Sequence, residues 1–524
     1  MGLLRSASIF SGLTTISRVF GLIRDQIIAI VFGAGAATDA FWVAFKIPNF
    51  MRRLFAEGAF SQAFVPVLGE YKTTQGDSAV KQLVSHVAGS LSLVVLGITV
   101  VSILVFPWLI LEYGPGMVDN QHKLVLTAQM LVLTLPYILF ISLTALAGGV
   151  LNTYKRFAVP AFTPVFLNLS LIGVSLFLAP QMPAGYEIKA LAWGVFIAGV
   201  VQLLFQFPFL ARLGLLAWPR YGFRHPGVRQ IIRLMGPAIL GSMVVQINLL
   251  LDVIIAYTLL PDGSVSWLTF SDRLVEFPLG VFGIAISTVI LPSLSQHHAA
   301  TDPTRFAAVL DWGLRWALLI SLPAMCGLLL LAGPLLTTLF NYGQFSQHDV
   351  LMSQMSLFAY GSGLLAFIFV KVLTPGFYSR QDTKTPVRIA VIAMLVNVVL
   401  NLAFVIPWVL LEYPAPHTGL ALATTIAAFV NAGILFVTLK RQGAYVAQAG
   451  WTRLVVQISL ALLAMCVVLF WAVPKLAIWF DWSAGWRVAM LLLWVSVGAG
   501  VYFIGLYVAG FRLNQFRAAH PGRD

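Results

Sequence analysis

The chain contains a succession of long apolar segments separated by short polar loops. A helix needs about 20 mostly apolar residues to cross the hydrocarbon core of a bilayer. Only 10% of the 524 residues are charged and 59% are hydrophobic, so the chain lacks the polar surface that a soluble protein of this size requires. The apolar runs are continuous rather than alternating, which excludes lipid-spanning β-strands. The sequence therefore predicts an all-α integral membrane protein.

Fourteen segments have the length and composition of transmembrane helices. Their predicted limits are 8–32, 37–66, 84–111, 124–151, 158–180, 189–211, 232–260, 265–296, 306–340, 350–373, 387–411, 418–439, 454–474 and 487–511. The first segment is predicted to be a retained helix rather than a cleaved signal peptide. Arg18 and Arg24 interrupt it, and no small-residue cleavage site precedes Gly33.

Lysine and arginine are distributed unequally between alternate loops. If the N-terminus is cytoplasmic, most of the loop cations lie on the cytoplasmic side. The outer loops then contain only Lys123, Lys189, Lys475 and Arg487. Positively charged loops favour the cytoplasmic side, so both termini are predicted to be cytoplasmic. The net charge of +13 is spread over these loops instead of forming one patch, which argues against a nucleic-acid partner.

Two pairs of similar segments are separated by nearly the same distance along the chain. Residues 59–68 resemble residues 285–294. Gly149, Asn152 and Pro160 likewise correspond to Gly376, Ser379 and Pro386. An even number of helices in each copy makes the repeat parallel, which is a transporter architecture with the substrate site between the halves. The alternative is a two-lobed scaffold that transports nothing. The predicted divisions are a six-helix lobe at 1–225, a second six-helix lobe at 226–445, and two additional helices with a tail at 446–524.

Several basic residues lie deep inside the predicted helices, where a charge costs about 3 kcal/mol and normally faces a cavity or a partner. They are Arg18, Arg24, Lys46, Arg52, Arg53 and Arg273. Asp39, Lys46 and Arg53 follow one another at intervals of seven residues, and Glu57 lies one turn after Arg53. These four residues share one face of a helix, which predicts the wall of a wet cavity. Arg315 and Lys371 lie near cytoplasmic helix ends, where their charged groups reach water.

The charged residues of the eighth predicted helix leave two interpretations open. Arg273 and Glu276 are three residues apart, as Arg53 and Glu57 are four apart, so both pairs are compatible with structural ion pairs. Arginine also binds phosphate oxygens through its forked donors. The number of buried arginines favours an anionic, phosphorylated substrate.

A carboxylate, Asp252, stands alone in the seventh predicted helix. It is a candidate ligand for a coupling cation, joined by Asp382 and Asn397, or a structural hydrogen-bonding group. The sequence does not identify a metal. No phosphate-binding loop or enzymatic site is predicted, and His297 and His298 lack the helical spacing of metal ligands. No cofactor is expected. Transport is expected to be driven by a coupling cation, such as sodium or a proton, or by the membrane potential.

Several segments of the chain are similar to sequences of the MurJ (MviN) family. They are 17–21, 24–25, 38–41, 49–66, 272–278 and 375–380. The resemblance implies membership of the multidrug/oligosaccharidyl-lipid/polysaccharide exporter superfamily. It also implies a lipid II flippase that moves the undecaprenyl-pyrophosphate-linked peptidoglycan precursor across the bacterial inner membrane by alternating access, for cell-wall synthesis and cell shape.

The resemblance assigns roles to particular residues. It implies a cationic substrate cavity formed by Arg18, Arg24, Arg52, Arg53 and Arg273, with functional acids at Asp39 and Glu276, to which the charge pattern adds Glu57. It also implies that the last two helices form a groove for the lipid tail. Expected partners are lipid II, membrane lipids and the cell-wall synthesis machinery.

Three other functions are compatible with parts of this pattern. A multidrug exporter of the same superfamily would favour acids or aromatic residues in its cavity, whereas this chain has arginines. A membrane-embedded enzyme would need catalytic carboxylates near one surface, but the longest internal loop, at 212–231, is basic and lacks acids. The third function is that of a scaffold for cell-wall assembly that transports nothing.

Overall fold

The computed structural model describes residues 3–53, 60–114, 118 and 120–512. These residues form helices and no β-strand, which confirms the all-α class. Eleven helices among them are long and apolar enough to cross a membrane.

Packing divides the chain into two compact units, residues 1–266 and residues 267–524. The first unit contains α1 (Leu3–Phe32), α2 (Ala36–Arg52), α3 (Phe60–Thr74), α4 (Gly76–Tyr113), α5 (Gln121–Thr134), α6 (Tyr137–Thr153), α7 (Ala158–Phe162), α8 (Pro164–Gly173), α9 (Lys189–Arg212), α10 (Pro226–Leu259) and the start of α11 (Ser264–Pro278). The second unit contains the rest of α11 and α12 (Ile284–Ala299), α13 (Pro303–Leu330), α14 (Ala332–Phe340), α15 (Gln347–Ser362), α16 (Leu364–Leu373), α17 (Pro375–Tyr378), α18 (Lys384–Leu410), α19 (Thr418–Arg441), α20 (Trp451–Ala472), α21 (Leu476–Asp481) and α22 (Ala484–Val508).

The predicted spans are accounted for by these helices. Eleven spans correspond to the long apolar helices. The spans predicted at 8–32 and 232–260 fall on α1 and α10, and the span predicted at 37–66 falls on α2 and α3. The count of fourteen stays a prediction. Glu57 lies outside the described residues, in the segment between α2 and α3.

The first unit extends past the lobe boundary that the sequence repeats predict. The reason is that α10 packs against α2, α3 and α4. Val228 and Ile231 of α10 join a buried apolar cluster with Phe64, Val67 and other residues of the first unit. The division at residues 225 and 226 rests on sequence similarity alone and stays a prediction.

The two additional helices, α20 and α22, pack against each other and against α13 in the second unit. Their contact is close because Gly505 faces Ala461: a Cβ at Gly505 would lie 2.9 Å from the Ala461 Cα. Small residues let membrane helices approach in this way. Tyr502 of α22 donates a hydrogen bond of 2.8 Å to the carbonyl of Leu319 in α13.

A buried carboxylate holds the segment that precedes α20. Asp311 of α13 is 1% exposed. It accepts hydrogen bonds from Arg315 at 2.7 Å, from Tyr445 at 3.0 Å and from the Trp451 indole at 2.6 Å. The Arg315 guanidinium pairs with Asp311 and donates to the carbonyls of residues 448 and 449, and its contact with water stays a prediction.

An arginine fixes the opposite end of the added helices. Arg487 of α22 is buried and donates to the backbone carbonyls of Trp479, Phe480, Thr337 and Asn341. Carbonyls at helix ends lack intrahelical partners and attract cations. The sequence places Arg487 in an outer loop, whereas the structure buries its side chain inside the second unit.

Candidate functional site

The two arginines of α1 have different environments. Arg18 is exposed and has no hydrogen bond or ion pair among the residues that the structure describes. Arg24 is 6% exposed. Its Nε donates to Asp25 at 2.8 Å and its Nη1 donates to Asn168 at 3.0 Å. Arg18 is therefore available to an anion, whereas the charge of Arg24 is balanced within the first unit.

The arginines at the end of α2 are half-buried. Arg52 donates from Nε and Nη2 to the Asn49 side-chain oxygen at 2.9 and 2.7 Å. This i, i+3 contact orients the guanidinium along the helix. Arg53 follows it directly, and the predicted pairing of Arg53 with Glu57 stays a prediction because Glu57 lies outside the described residues.

Asp39 is fully buried, so the prediction that it lines a wet wall is wrong for this structure. Its carboxylate accepts hydrogen bonds from the backbone N–H of Gly263 at 2.8 Å and of Ser266 at 2.8 Å, and from the Ser266 hydroxyl at 2.6 Å. A carboxylate at this position satisfies unpaired N–H groups at the start of α11. Asp39 therefore ties α2 to the turn between α10 and α11.

Lys123 of α5, which the sequence places in an outer loop, binds the same turn. It is 1% exposed and donates to the Asp262 carboxylate at 2.8 Å and to the Tyr257 carbonyl at 3.2 Å. The Asn120 side chain also donates to Asp262, at 3.1 Å. We call Asp39, Lys123, Asp262 and Ser266 the turn network. All four belong to the first unit, and together they hold α2 and α5 to one turn.

The structure contains the ion pair that was one of the two interpretations left open for α11. Arg273 and Glu276 lie 2.7 Å apart, with their side chains 33% and 54% exposed. The pair belongs to the second unit, where Ser271 fixes α11 by donating to the carbonyl of Ser353 at 2.6 Å. An exposed pair of this kind is weak, so its arginine can exchange a carboxylate for a phosphate at small cost.

The three candidate ion ligands do not form one cluster in the described structure. Asp382 precedes α18 and accepts a hydrogen bond from the Thr385 N–H at 3.0 Å, which together with the Thr385 hydroxyl lowers the pKa of its carboxyl. Asn397 lies more than three turns into α18, about 20 Å from its start. Asp382 therefore does not share a site with Asn397, which corrects that prediction.

Asn397 is buried in a polar cluster of the second unit. It donates to the Thr424 hydroxyl at 3.2 Å and accepts from Asn401 at 3.0 Å. Asp252 lies on α10, in the first unit. Among the described residues, no three His, Cys, Asp or Glu side chains are grouped as metal ligands.

Sequence reasoning missed Asn168 and misassigned Lys123. Asn168 is a polar residue in the otherwise apolar segment of α8, which is a signal for a buried contact. Lys123 gave no such signal, because it lies beside a polar loop and its partners are more than 130 residues away.

The chain was compared with known proteins. A family model described as lipid II flippase MurJ matches residues 28–490. A protein of Vibrio cholerae serotype O1 described as a probable lipid II flippase MurJ is 44% identical over 524 residues, covering 99% of this chain and 98% of the relative. A solved structure of lipid II flippase MurJ in an inward closed conformation is 28% identical, with a TM-score of 0.77 over 95% of this chain and 98% of that one.

A more distant likeness concerns the fold alone. An inward-facing multidrug resistance MATE family transporter of the MOP superfamily has a TM-score of 0.65 at 14% identity, over 84% of this chain and 98% of that one. The apolar helices and the family match together make the protein a multi-pass inner-membrane protein. With a family match over most of its length and a relative 44% identical from end to end, the chain belongs to the MurJ family of lipid II flippases.

Proposed function

We propose that the protein transports lipid II, the undecaprenyl-pyrophosphate-linked precursor of peptidoglycan, from the cytoplasmic to the periplasmic leaflet. The family match across residues 28–490 carries this proposal. Transport proceeds by exposing a polar binding site alternately to the two sides of the membrane, without a chemical reaction. The same evidence outweighs the multidrug-exporter and scaffold alternatives. The positively charged loops favour cytoplasmic termini, and the product is supplied to the cell-wall synthesis machinery.

The pyrophosphate group is recognised by arginines. Arg18 is exposed, Arg53 is half-buried, and Arg273 is one-third exposed. Guanidinium groups bind phosphate oxygens bidentately, which suits a diphosphate better than single point charges do. Arg52 completes this set while Asn49 orients it, and Arg24 supports α1 from its buried position. Glu276 holds Arg273 until phosphate replaces it.

The apolar tail of the substrate is proposed to lie along α20 and α22. Large apolar side chains project from both helices, among them Leu463 at 62% exposed, Phe470 at 71% and Phe503 at 65%. Such a surface is favourable for an undecaprenyl chain that never has to leave lipid. Asp311 and Arg487 hold these helices to the second unit at their two ends.

The test of this function uses single substitutions of Arg18, Arg52, Arg53 and Arg273 by alanine in a strain depleted of its own flippase. Each should abolish or severely reduce the appearance of lipid II in the outer leaflet, because each loses a phosphate-binding fork. Lysine at the same positions should restore transport only in part, since it keeps the charge but not the fork. Transport is measured as the amount of lipid II in the outer leaflet that an externally added degrading enzyme can cleave.

Arg305→Ala is the matched control, because Arg305 is an exposed cation that pairs with Asp302 at a helix start. It should transport lipid II at the wild-type rate. Full complementation by most of the four alanine variants would refute the proposed binding site.

We further propose that Asp252 binds a coupling cation, such as sodium or a proton, or senses the membrane potential. As a cation ligand, Asp252→Asn should reduce ion dependence and slow the return of the empty carrier while lipid II binding survives. A flattened pH dependence would identify a proton instead. Wild-type transport with unchanged response to sodium, pH and potential would remove Asp252 from the mechanism.

A further inference from the structure

A buried amide joins α8 to α1 in the first unit. Asn168 is 6% exposed. Its Nδ2 donates to the backbone carbonyl of Ser17 at 3.0 Å, and its Oδ1 accepts from Arg24 Nη1 at 3.0 Å. Both ends of the amide are therefore bonded to the same helix.

The face of α1 that meets Asn168 is suited to this contact. Ser17, Gly21 and Arg24 lie at i, i+4 and i+7, which places them on one side of the helix. A Cβ at Gly21 would lie 3.8 Å from the Asn168 Nδ2, an ordinary van der Waals distance, so the amide lies directly over this position of the helix. Asn168 thus spans two turns of α1, from the backbone next to Arg18 to the guanidinium of Arg24.

The amide also completes the coordination of a buried charge. Asp25 accepts from the Nε and Nη2 of Arg24, and Asn168 accepts from Nη1. Because Asp25 is only 2% exposed, the acceptors of this guanidinium include a charged and a neutral group in surroundings that exclude water. A fixed guanidinium at this depth is costly to leave unbonded.

We propose that Asn168 is a positioning residue for the substrate-binding arginines of α1, acting through Arg24 and through the backbone beside Arg18. This inference rests on the proposed transport of lipid II. Without the amide, the guanidinium of Arg24 loses the acceptor that holds its Nη1, and α1 loses the two hydrogen bonds that Asn168 makes to it. The phosphate-binding donors of α1 then lose their fixed orientation. Part of the free energy of lipid II binding is used to order them, so the affinity falls.

The test is a double-mutant cycle with purified protein in lipid nanodiscs, using lipid II as the probe. Asn168→Ala should weaken lipid II binding about tenfold, the usual effect of losing one hydrogen bond to a charged group. Arg24→Ala should weaken it at least as much. The double variant should bind only slightly more weakly than Arg24→Ala, and by less than the two single effects combined, because most of the effect of Asn168 passes through the residue already removed.

Ser170→Ala is the matched control. Ser170 lies on the same helix and donates to the Gly194 carbonyl at 2.7 Å, so its loss breaks a contact of α8 that does not involve α1. This variant should bind lipid II like the wild type. Asn168→Asp is the isosteric second variant in case alanine prevents folding. Its carboxylate cannot donate to the Ser17 carbonyl, so it should also weaken binding about tenfold.

The outcomes separate the inference from the function on which it rests. Wild-type affinity in a folded Asn168→Ala or Asn168→Asp protein, or strictly additive effects in the cycle, would overturn the positioning role. Normal affinity in Arg24→Ala would refute the proposed role of Arg24 and the inference with it. Loss of binding in Ser170→Ala to the same extent would show that α8 acts only as a structural support, which also overturns the inference.

Discussion

Replacing Asp311 by alanine should lower the free energy of unfolding of the second unit by about 3–5 kcal/mol, the usual cost of removing one partner of a buried ion pair. The variant leaves the Arg315 guanidinium, the Tyr445 hydroxyl and the Trp451 indole without their common acceptor. Since these donors hold the segment before α20, that segment should detach first.

The measurement combines thermal unfolding of the detergent-solubilised protein with trypsin cleavage at Lys440 and Arg441. Cleavage there should be much faster in Asp311→Ala than in the wild type. Tyr445→Phe is the graded control, because it removes one donor and should cost about 1 kcal/mol. Burial and the neighbouring Asp311 raise the pKa of Tyr445, which keeps its hydroxyl protonated as a donor. Equal stability of Asp311→Ala and Tyr445→Phe would contradict the assigned role of Asp311.

Replacing Asp39 by alanine should release the turn between α10 and α11 and reduce lipid II transport about a hundredfold. Three hydrogen bonds to a buried carboxylate are lost, each worth about 1.5–3 kcal/mol. A change of about 5.5 kcal/mol moves a two-state equilibrium from one state almost entirely to the other. The conformation that the turn network stabilises should therefore be depleted. Asn should substitute poorly, since its amide N–H₂ faces one of the backbone N–H donors.

Maleimide labelling of a Ser264→Cys variant, with Cys326 and Cys466 replaced by serine, reports the release of the turn. Ser264 is fully buried, so the thiol should react slowly unless Asp39 is also replaced. Asp302→Ala is the matched control, because Asp302 caps the start of α13 through the Arg305 N–H but is half-buried and lies outside the turn network. Unchanged labelling in Asp39→Ala, or equal labelling in both variants, would show that Asp39 does not hold the turn.

The predictions that depend on short stretches of sequence agree with the structure. Apolar runs predicted membrane helices correctly because lipid imposes the same requirement on every spanning segment, whatever its neighbours. The pairing of Arg273 with Glu276 follows from a spacing of three residues on one helix, which needs no other part of the fold.

The predictions that failed depended on where the folded chain places each residue. Asp39 shares a helix face with Lys46 and Arg53, but this periodicity does not reveal that Gly263 and Ser266 cover it. Asp382 and Asn397 are close in sequence, yet a continuous helix separates them because it advances about 1.5 Å per residue.

The helical class, the apolar membrane helices and the family were therefore readable from the residues, since each is a local or summed property of the chain. The assignments of Lys123, Asn168 and Arg487 to buried contacts were not, because each partner lies more than a hundred residues away or is a backbone carbonyl, which has no side-chain signature. A buried charge is tolerated wherever folding brings suitable donors and acceptors to it. Which donors and acceptors surround a charge depends on how the helices pack. Only the folded chain therefore distinguishes a cation that is free to bind phosphate, such as Arg18, from one that is already held, such as Arg24.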